Sequence, residues 1–336
     1  MLGLILNRLA QVAFVLAGLT VLTFLLVRAV PTDPATILAG EGATAEQLAT
    51  IRERYGFDRP LHEQFAAYVG QLARGDLGIS VYTSRPVATD LVQRLPATVE
   101  LALAALVLAI ALGIPMGVLA ATSYRRMADH LLRVLSMLGL AVASFWLAIM
   151  LQMTLSLNLG WFPLRGRIDT VAEPPPGVTG LFTIDYLLAG QPAMAWQALV
   201  HLALPAVTLA LPAMATISRF VRSSLIETLQ KDFVAYEIAM GYPRRVVIWK
   251  YALRNSLSAT VTQIGLLVGL LLSGSIVVEA IFSWPGLGDY IYRAIITGDT
   301  NPVLSATLLI GVIYAVANIL VDVIQALIDP RVRSGR

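Results

Sequence analysis

Long apolar runs alternate with shorter polar segments along this chain. A bilayer core of roughly 30 Å takes about 20 apolar residues in a helix. Six runs meet that length: Leu9–Val27, Leu101–Ala121, Val134–Leu157, Leu202–Ser218, Ser256–Val278 and Val303–Val321. The pattern predicts an all-α membrane protein with six transmembrane helices. Arg8 precedes the first run as it would in a signal peptide. That run is too long for a signal core and lacks a small-x-small cleavage site before Pro31, so it reads as an uncleaved anchor.

Six spans place both termini on one side. Arg8, the Arg125/Arg126/Arg133 loop, the Arg219–Arg254 segment and the Arg331/Arg333/Arg336 tail fall on that side, holding 14 of the 24 basic but 6 of the 21 acidic residues. The positive-inside rule makes it the cytoplasmic face. The opposite face carries Val30–Pro96, Asn158–Val200 and Phe282–Pro302. The first of these holds two amphipathic helical patterns. Thr44 and Gln47 have capping-box spacing, followed by Leu48, Ile51 and Tyr55. Asp58 is placed to cap a second helix with Pro60 in its first turn and Leu61, Phe65, Tyr68, Val69 and Leu72 as its stripe. A small external helical subdomain follows, packed on the membrane domain and open to a partner. Asn158–Val200, with Pro174-Pro175-Pro176, reads as irregular and exposed. The expected division is an anchor at 1–30, an external subdomain at 31–96, a membrane core at 97–326 with a cytoplasmic loop at 219–258, and a tail at 327–336.

Composition narrows the chemistry. Of 336 residues 57% are hydrophobic and 13% charged, with mean hydropathy +0.75, whereas soluble domains are about a quarter charged. Membrane topology accounts for the net charge of +3 without nucleic acid. With no cysteine there is no disulfide, thiolate nucleophile or thiolate metal site. His62, His130 and His201 form no ligand pair at helical spacing. No Walker A loop, His-Glu-x-x-His or Gly-x-Ser-x-Gly is present, so any ATP used is hydrolysed by another chain.

Polar groups in the spans are few. Asp322 lies one turn after Asn318 near the end of the last span, where it lines a pathway or pairs with an interfacial basic residue; the second reading is preferred. Glu100 and Glu279 are expected at external span ends in reach of water, and His201 at the interface. Pro205 and Pro212 bend the fourth span, for gating or for packing. Gly265, Gly269 and Gly274 allow close helix approach in the fifth.

The Arg219–Arg254 segment is a basic island of two helical patterns joined at Gly241-Tyr242-Pro243. Leu225, Leu229, Phe233 and Tyr236 space as one apolar face, with Asp232, Glu237 and Ala239 around it. Gly241 supplies the positive φ of a helix end, and Pro243 suits the first turn of a second helix, Arg244–Leu253. Such a unit transmits a partner's displacement into the spans. Its basic residues also suit anionic lipid, but helical punctuation favours protein docking.

At this point the chain resembles the permease subunits of ABC importers, specifically the B-type subunit of the dipeptide/oligopeptide/nickel group. The resemblance runs over nearly its whole length. It rests on Leu22-Thr23-Phe24, Pro31-Thr32-Asp33-Pro34, Gly75-Asp76-Leu77-Gly78-Ile79-Ser80, Pro96-Ala97-Thr98-Val99-Glu100-Leu101 and Arg222-Ser223-Ser224-Leu225. Asp232-Phe233-Val234, Ala239, Gly241 and Ala252-Leu253-Arg254-Asn255 are similar to the EAA coupling motif, although the Glu-Ala-Ala positions read Ala235-Tyr236-Glu237. Phe282-Ser283-Trp284-Pro285-Gly286-Leu287-Gly288 and Asp329-Pro330-Arg331 complete the set.

The resemblance implies a type I importer fold in a bacterial inner membrane. The expected partners are a second homologous permease, two cytoplasmic ATPases that bind ATP and Mg, an external solute-binding protein and membrane lipid, with no cofactor in this chain. It assigns ATPase coupling to Asp232, Phe233, Glu237, Ala239, Gly241, Leu253, Arg254 and Asn255, and gives no substrate-path residue. The solute it implies is a di- or oligopeptide, with a nickel chelate or glutathione as the alternative within the class. An ion-coupled secondary transporter would want midplane acids and inverted repeats, and a membrane enzyme a nucleophile–base or metal constellation; the sequence displays none of these.

Overall fold

Helices make up nearly all of the computed structural model, which describes residues 2–29, 44–55, 58–169, 174–175 and 177–328, leaving aside the side chains of 2–9, 26–29, 51, 53–55, 258–259, 322 and 324–328. In chain order the helices are α1 (Leu2–Ala29), α2 (Ala45–Tyr55), α3 (Leu61–Ala73), α4 (Val87–Thr122), α5 (Met127–Ala141), α6 (Ser144–Leu151), α7 (Phe182–Leu188), α8 (Pro192–Thr228), α9 (Asp232–Ala239), α10 (Arg244–Val246), α11 (Leu253–Phe282), α12 (Leu287–Ile296) and α13 (Thr300–Ile328). Wider π-helical turns extend α6 over Gln152–Asn158 and join α10 to α11 over Val247–Ala252.

Among the described residues four stretches are long and apolar enough to cross a membrane: Val87–Thr122, Pro192–Thr228, Thr260–Phe282 and Thr300–Val321. The expected third span is not one straight helix. Val142 and Ala143 are extended, with ψ of 121° and 130°, and α5 meets α6 at a bend of 98°. No proline marks the break, and the single serine there, Ser144, leaves the run apolar enough for hydropathy to read straight through it. Counted as one span, the bent pair makes a fifth; in α1 the described apolar stretch is Ala10–Leu25.

The chain forms two compact units, one built on residues 97–284 and the last helix from Tyr314, the other on residues 2–96 and 285–313. In the first unit α8 is the spine. Its Leu202, Leu209, Ala213, Ile217, Val221 and Leu225 are buried in the main core with Leu101, Ala105 and Ala109 of α4 and Leu267, Leu271 and Val278 of α11. Close approach depends on glycine: a Cβ on Gly113 would lie 2.9 Å from the Met214 carbonyl oxygen, and one on Gly117 2.7 Å from that of Ser218. Gly265 faces Val321, Gly269 faces the Tyr314 ring, and Gly274 faces Leu209. α8 continues through Pro205 and Pro212 without a break. The Thr208 and Thr216 hydroxyls donate to the Leu204 and Pro212 carbonyls at 2.8 and 2.9 Å.

Glu100, Glu279 and His201 do not sit in water; all three are buried. Arg167 donates to Glu100 through Nε at 2.8 Å and through Nη2, while the Thr183 amide and hydroxyl reach the other Glu100 oxygen at 2.9 and 2.7 Å. Arg167 also stacks 3.7 Å from the Phe182 ring centroid and donates to the Gly180 carbonyl. Desolvation lowers its affinity for a proton, and Glu100 opposes this. His201 has the Gly166 carbonyl 3.2 Å from Nδ1 and Asp169 3.4 Å from Nε2. Within the Asn158–Val200 stretch, 182–188 and the residues from 192 onward are helical, while the described residues of 159–181 carry no regular helix. Asp185 supports α7 by accepting from the Thr179 amide and hydroxyl and the Gly180 amide at 2.6–2.8 Å.

In the second unit the capping box forms as expected: the Thr44 amide donates to Gln47 Oε1 at 2.9 Å, and the Gln47 amide to Thr44 Oγ1 at 3.3 Å. Leu48 is half-buried; Ile51 and Tyr55 fall among the undescribed side chains. Asp58 does not cap α3. Pro60 takes the N-cap position itself, and Gln64 donates to the Arg59 carbonyl at 2.7 Å. Phe65 and Tyr68 pack on Phe24 of α1, while Leu61 and Val69 are exposed. The Phe282–Pro302 stretch contains α12, whose Leu287, Tyr290, Ile291 and Ala294 are buried at helical spacing. Tyr290 donates to Asp90 at 3.0 Å, and burial pushes its hydroxyl up to about 12. Asp299 accepts from Ser80 Oγ at 2.7 Å and the Tyr82 amide at 3.1 Å.

Candidate functional site

The basic island folds as a short helix held between two stems. One stem is the end of α8, where Leu225 is fully buried and Leu229 half-buried. The other is the start of α11, where Ala252, Leu253 and Ser256 are buried. Ser224 ties the stems by donating to the Ser256 carbonyl at 3.0 Å. A displacement of one stem is thereby felt by the other.

Between the stems α8 ends at Thr228, and the chain turns through Gln230 before Lys231 opens α9 in an extended conformation. This break overturns the single face expected from Leu225, Leu229, Phe233 and Tyr236. Leu225 belongs to α8 and Leu229 caps its end, whereas Tyr236 is 63% exposed. The anchor of α9 is instead Val234, 3% exposed, with Phe233 and Glu237 half-buried beside it. A 3.6-residue period carried across a helix boundary loses phase, and the boundary has no proline to announce it.

Gly241 closes α9. Its φ is +86°, its amide donates to the Ile238 carbonyl at 3.0 Å, and the Tyr242 amide donates to the Glu237 carbonyl at 3.3 Å. These are the paired bonds of a Schellman motif. Nothing lies within 4 Å of a Cβ added there, so the requirement for glycine is conformational. Pro243 is the next N-cap, with ψ 138°, one position earlier than the sequence suggests. The expected second helix is no separate element: Arg244–Val246 runs through the Val247–Ala252 π turn straight into α11. α9 packs on that turn.

Among the assigned coupling residues, Asp232, Ala239, Gly241, Arg254 and Asn255 are exposed, while Leu253 is buried at 6%. Asn255 donates to the Tyr251 carbonyl at 3.0 Å and so braces its own helix. The outer surface combines exposed Tyr236, Ile238, Met240, Tyr242 and Trp249 with Lys231, Arg244, Arg245 and Lys250. The Tyr242 and Tyr251 rings lie 5.6 Å apart, and Lys250 sits 5.5 Å from the Tyr251 centroid. Desolvation first, then the Tyr242 hydroxyl, pushes the Tyr251 hydroxyl upward. The outward side of the island is thus apolar and basic. Among the described residues no three His, Asp or Glu gather to hold a metal.

Two family models cover the chain: the binding-protein-dependent transport system inner membrane component matches residues 113–334, and the N-terminal component of that system matches residues 1–102. The chain belongs to this family of ABC importer permeases. Its relatives are permease subunits, so it is not itself an ATPase. It is 38% identical over 321 residues to the probable D,D-dipeptide transport system permease protein DdpB of Escherichia coli K12, covering 96% of this chain and 94% of that one. It is 37% identical to the dipeptide transport system permease protein DppB of Alkalihalophilus pseudofirmus, over 99% of this chain and all of that one. The inward-facing MetNI methionine ABC transporter superposes with a TM-score of 0.53 at 17% identity, over 71% of this chain and 96% of the matched chain. That likeness establishes the type I importer fold. The permease lies in a membrane as a multi-pass helical protein.

Sequence reasoning quoted Val234 within the motif but not as the buried anchor, and missed the Ser224–Ser256 tie and the Asp129–Arg222 and Glu100–Arg167 pairs. A polar residue in an apolar run is visible in sequence, but its partner across 67 or 93 residues is not. Asn318 donates to the Tyr314 carbonyl at 2.9 Å; the Asp322 side chain lies outside the described residues.

Proposed function

We propose that this permease carries di- or oligopeptides inward and is driven by cytoplasmic ATPases that dock on α9. The observation that carries the coupling reading is the Schellman-closed α9, anchored by Val234 on the π turn that continues into α11. A nucleotide-driven movement of α9 is delivered to α8 and α11 together, because Ser224 ties their ends. The coupling residues in this reading are Asp232, Phe233, Glu237, Ala239, Gly241, Leu253, Arg254 and Asn255. The peptide assignment draws on the dipeptide permeases named above. The complete importer contains a second related permease, two ATPases that bind ATP and Mg, and an external solute-binding protein. The basic island and both termini face the cytoplasm, and the 31–96 segment faces outward as a subdomain distinct from the 97–326 core.

Gly241→Val tests the coupling. Valine resists positive φ by more than about 1–2 kcal/mol, yet nothing around it clashes, so the spans still fold. ATPase co-purification and labelled dipeptide uptake are both expected to fall several-fold. Unchanged assembly and uptake would remove the coupling role, and failure of unlabelled dipeptide to compete for wild-type uptake would remove the substrate.

A further inference from the structure

We propose that α5 is a second lever, moved through a two-bond fork between Arg222 and Asp129 and pivoting at Val142–Ala143. The proposal rests on the coupling reading of α9. Arg222 lies on α8 six residues before that helix ends at Thr228, about 9 Å along the axis at 1.5 Å per residue. It donates from Nε to Asp129 Oδ1 at 2.6 Å and from Nη2 to Oδ2 at 2.9 Å. Asp129 sits in the first turn of α5 and is 1% exposed. Two parallel bonds to one carboxylate resist both sliding and rotation, which a single point contact does not.

The surroundings stiffen the joint. Arg125 adopts a left-handed φ of +63°, unusual for a residue with a side chain, and its amide donates to Asp129 Oδ2 at 3.2 Å. The Tyr124 ring centroid lies 5.3 Å from the Arg125 guanidinium and 5.6 Å from that of Arg222. The α4–α5 turn, the head of α5 and the end of α8 therefore share one carboxylate. Farther along, α5 meets α8 at Gly139, where an added Cβ would lie 3.4–3.6 Å from Ala215 and Leu211. That contact is close packing of a glycine against small and aliphatic groups and the Leu211 backbone, without the directional fork found at the head. Beyond it lie the two extended residues and the 98° bend. A helix forked to α8 at its head and broken at its far end turns about the break when α8 moves.

The absence of cysteine allows clean labelling. Spin labels at Leu131→Cys on α5 and Met153→Cys beyond the bend, both exposed, report the angle in the complete reconstituted importer with its ATPases and binding protein. A change in label separation on adding ATP with vanadate is expected in the parent protein and is lost in Arg222→Gln and Asp129→Asn. Those variants should still retain the ATPases and hydrolyse ATP while peptide transported per ATP falls at least five-fold, and Arg222→Lys, which keeps the charge without the fork, should not restore the ratio. A separation that does not change in the parent, one that still changes in Arg222→Gln, or a parental transport-to-hydrolysis ratio in both variants would overturn the lever. Loss of hydrolysis and transport in parallel would also overturn it, assigning the pair to stability alone. In each case Gly241→Val reports separately on α9 docking.

Discussion

Glu100 has a donor for each of its oxygens, and this satisfaction is what permits a carboxylate and a guanidinium to be buried together. Removing one partner of such a pair strands the other without water, at about 3–5 kcal/mol. Arg167→Leu is therefore expected to lower the thermal unfolding temperature in detergent sharply, with Glu100→Gln/Arg167→Leu recovering part of the loss. A full recovery would mean the pair contributes nothing beyond its own desolvation. Asp185 behaves differently. Burial alone raises its carboxyl, but hydrogen bonds from Thr179 and Gly180 outweigh that and hold it below the ordinary range. With the folded value lower than the unfolded one, its contribution is complete above about pH 4 and disappears as pH falls through the depressed value. Asp185→Asn should cost about 2 kcal/mol at neutral pH, and melting curves of the two proteins should converge only as the pH falls below the depressed value.

The crossing of α4 and α8 depends on removing side chains where two helices meet. At Gly117 an added methyl meets the Ser218 carbonyl oxygen at 2.7 Å and Val221 at the same distance, so backbone as well as side chain must yield. Gly117→Ala should destabilise by about 1–3 kcal/mol, and Gly117→Leu should prevent folding, judged by recovery of monodisperse protein in detergent. Gly241→Ala is the contrasting case. It lacks any steric neighbour, so its expected cost is the left-handed penalty of about 1–2 kcal/mol, and uptake should suffer more than melting temperature. Equal effects on both measures would argue that the turn serves stability and not coupling.

For the molecule as a whole, the decisive property is which ends of the helices share a side. Tyr82→Cys and Trp249→Cys put single thiols on exposed positions of the two polar regions in a chain that has no other. A membrane-impermeant maleimide should label the first in intact spheroplasts and the second only after permeabilisation. The reverse result would invert the topology drawn from the arginines and lysines.

Hydropathy and punctuation determined, without coordinates, that the chain is a helical membrane protein. They also placed the capping box at Thr44 and Gln47 and a glycine-closed turn at Gly241. Each of these is local: a run of apolar residues, a three-residue spacing, a backbone angle only glycine takes easily. Tertiary structure alone decided the 98° break, the burial of Glu100, Glu279 and His201, the choice of Val234 over Tyr236 as the anchor of α9, and the joining of Asp129 to Arg222. Those outcomes depend on which surfaces meet across distances of tens of residues, and a one-dimensional pattern carries the need for a partner without saying where the partner is.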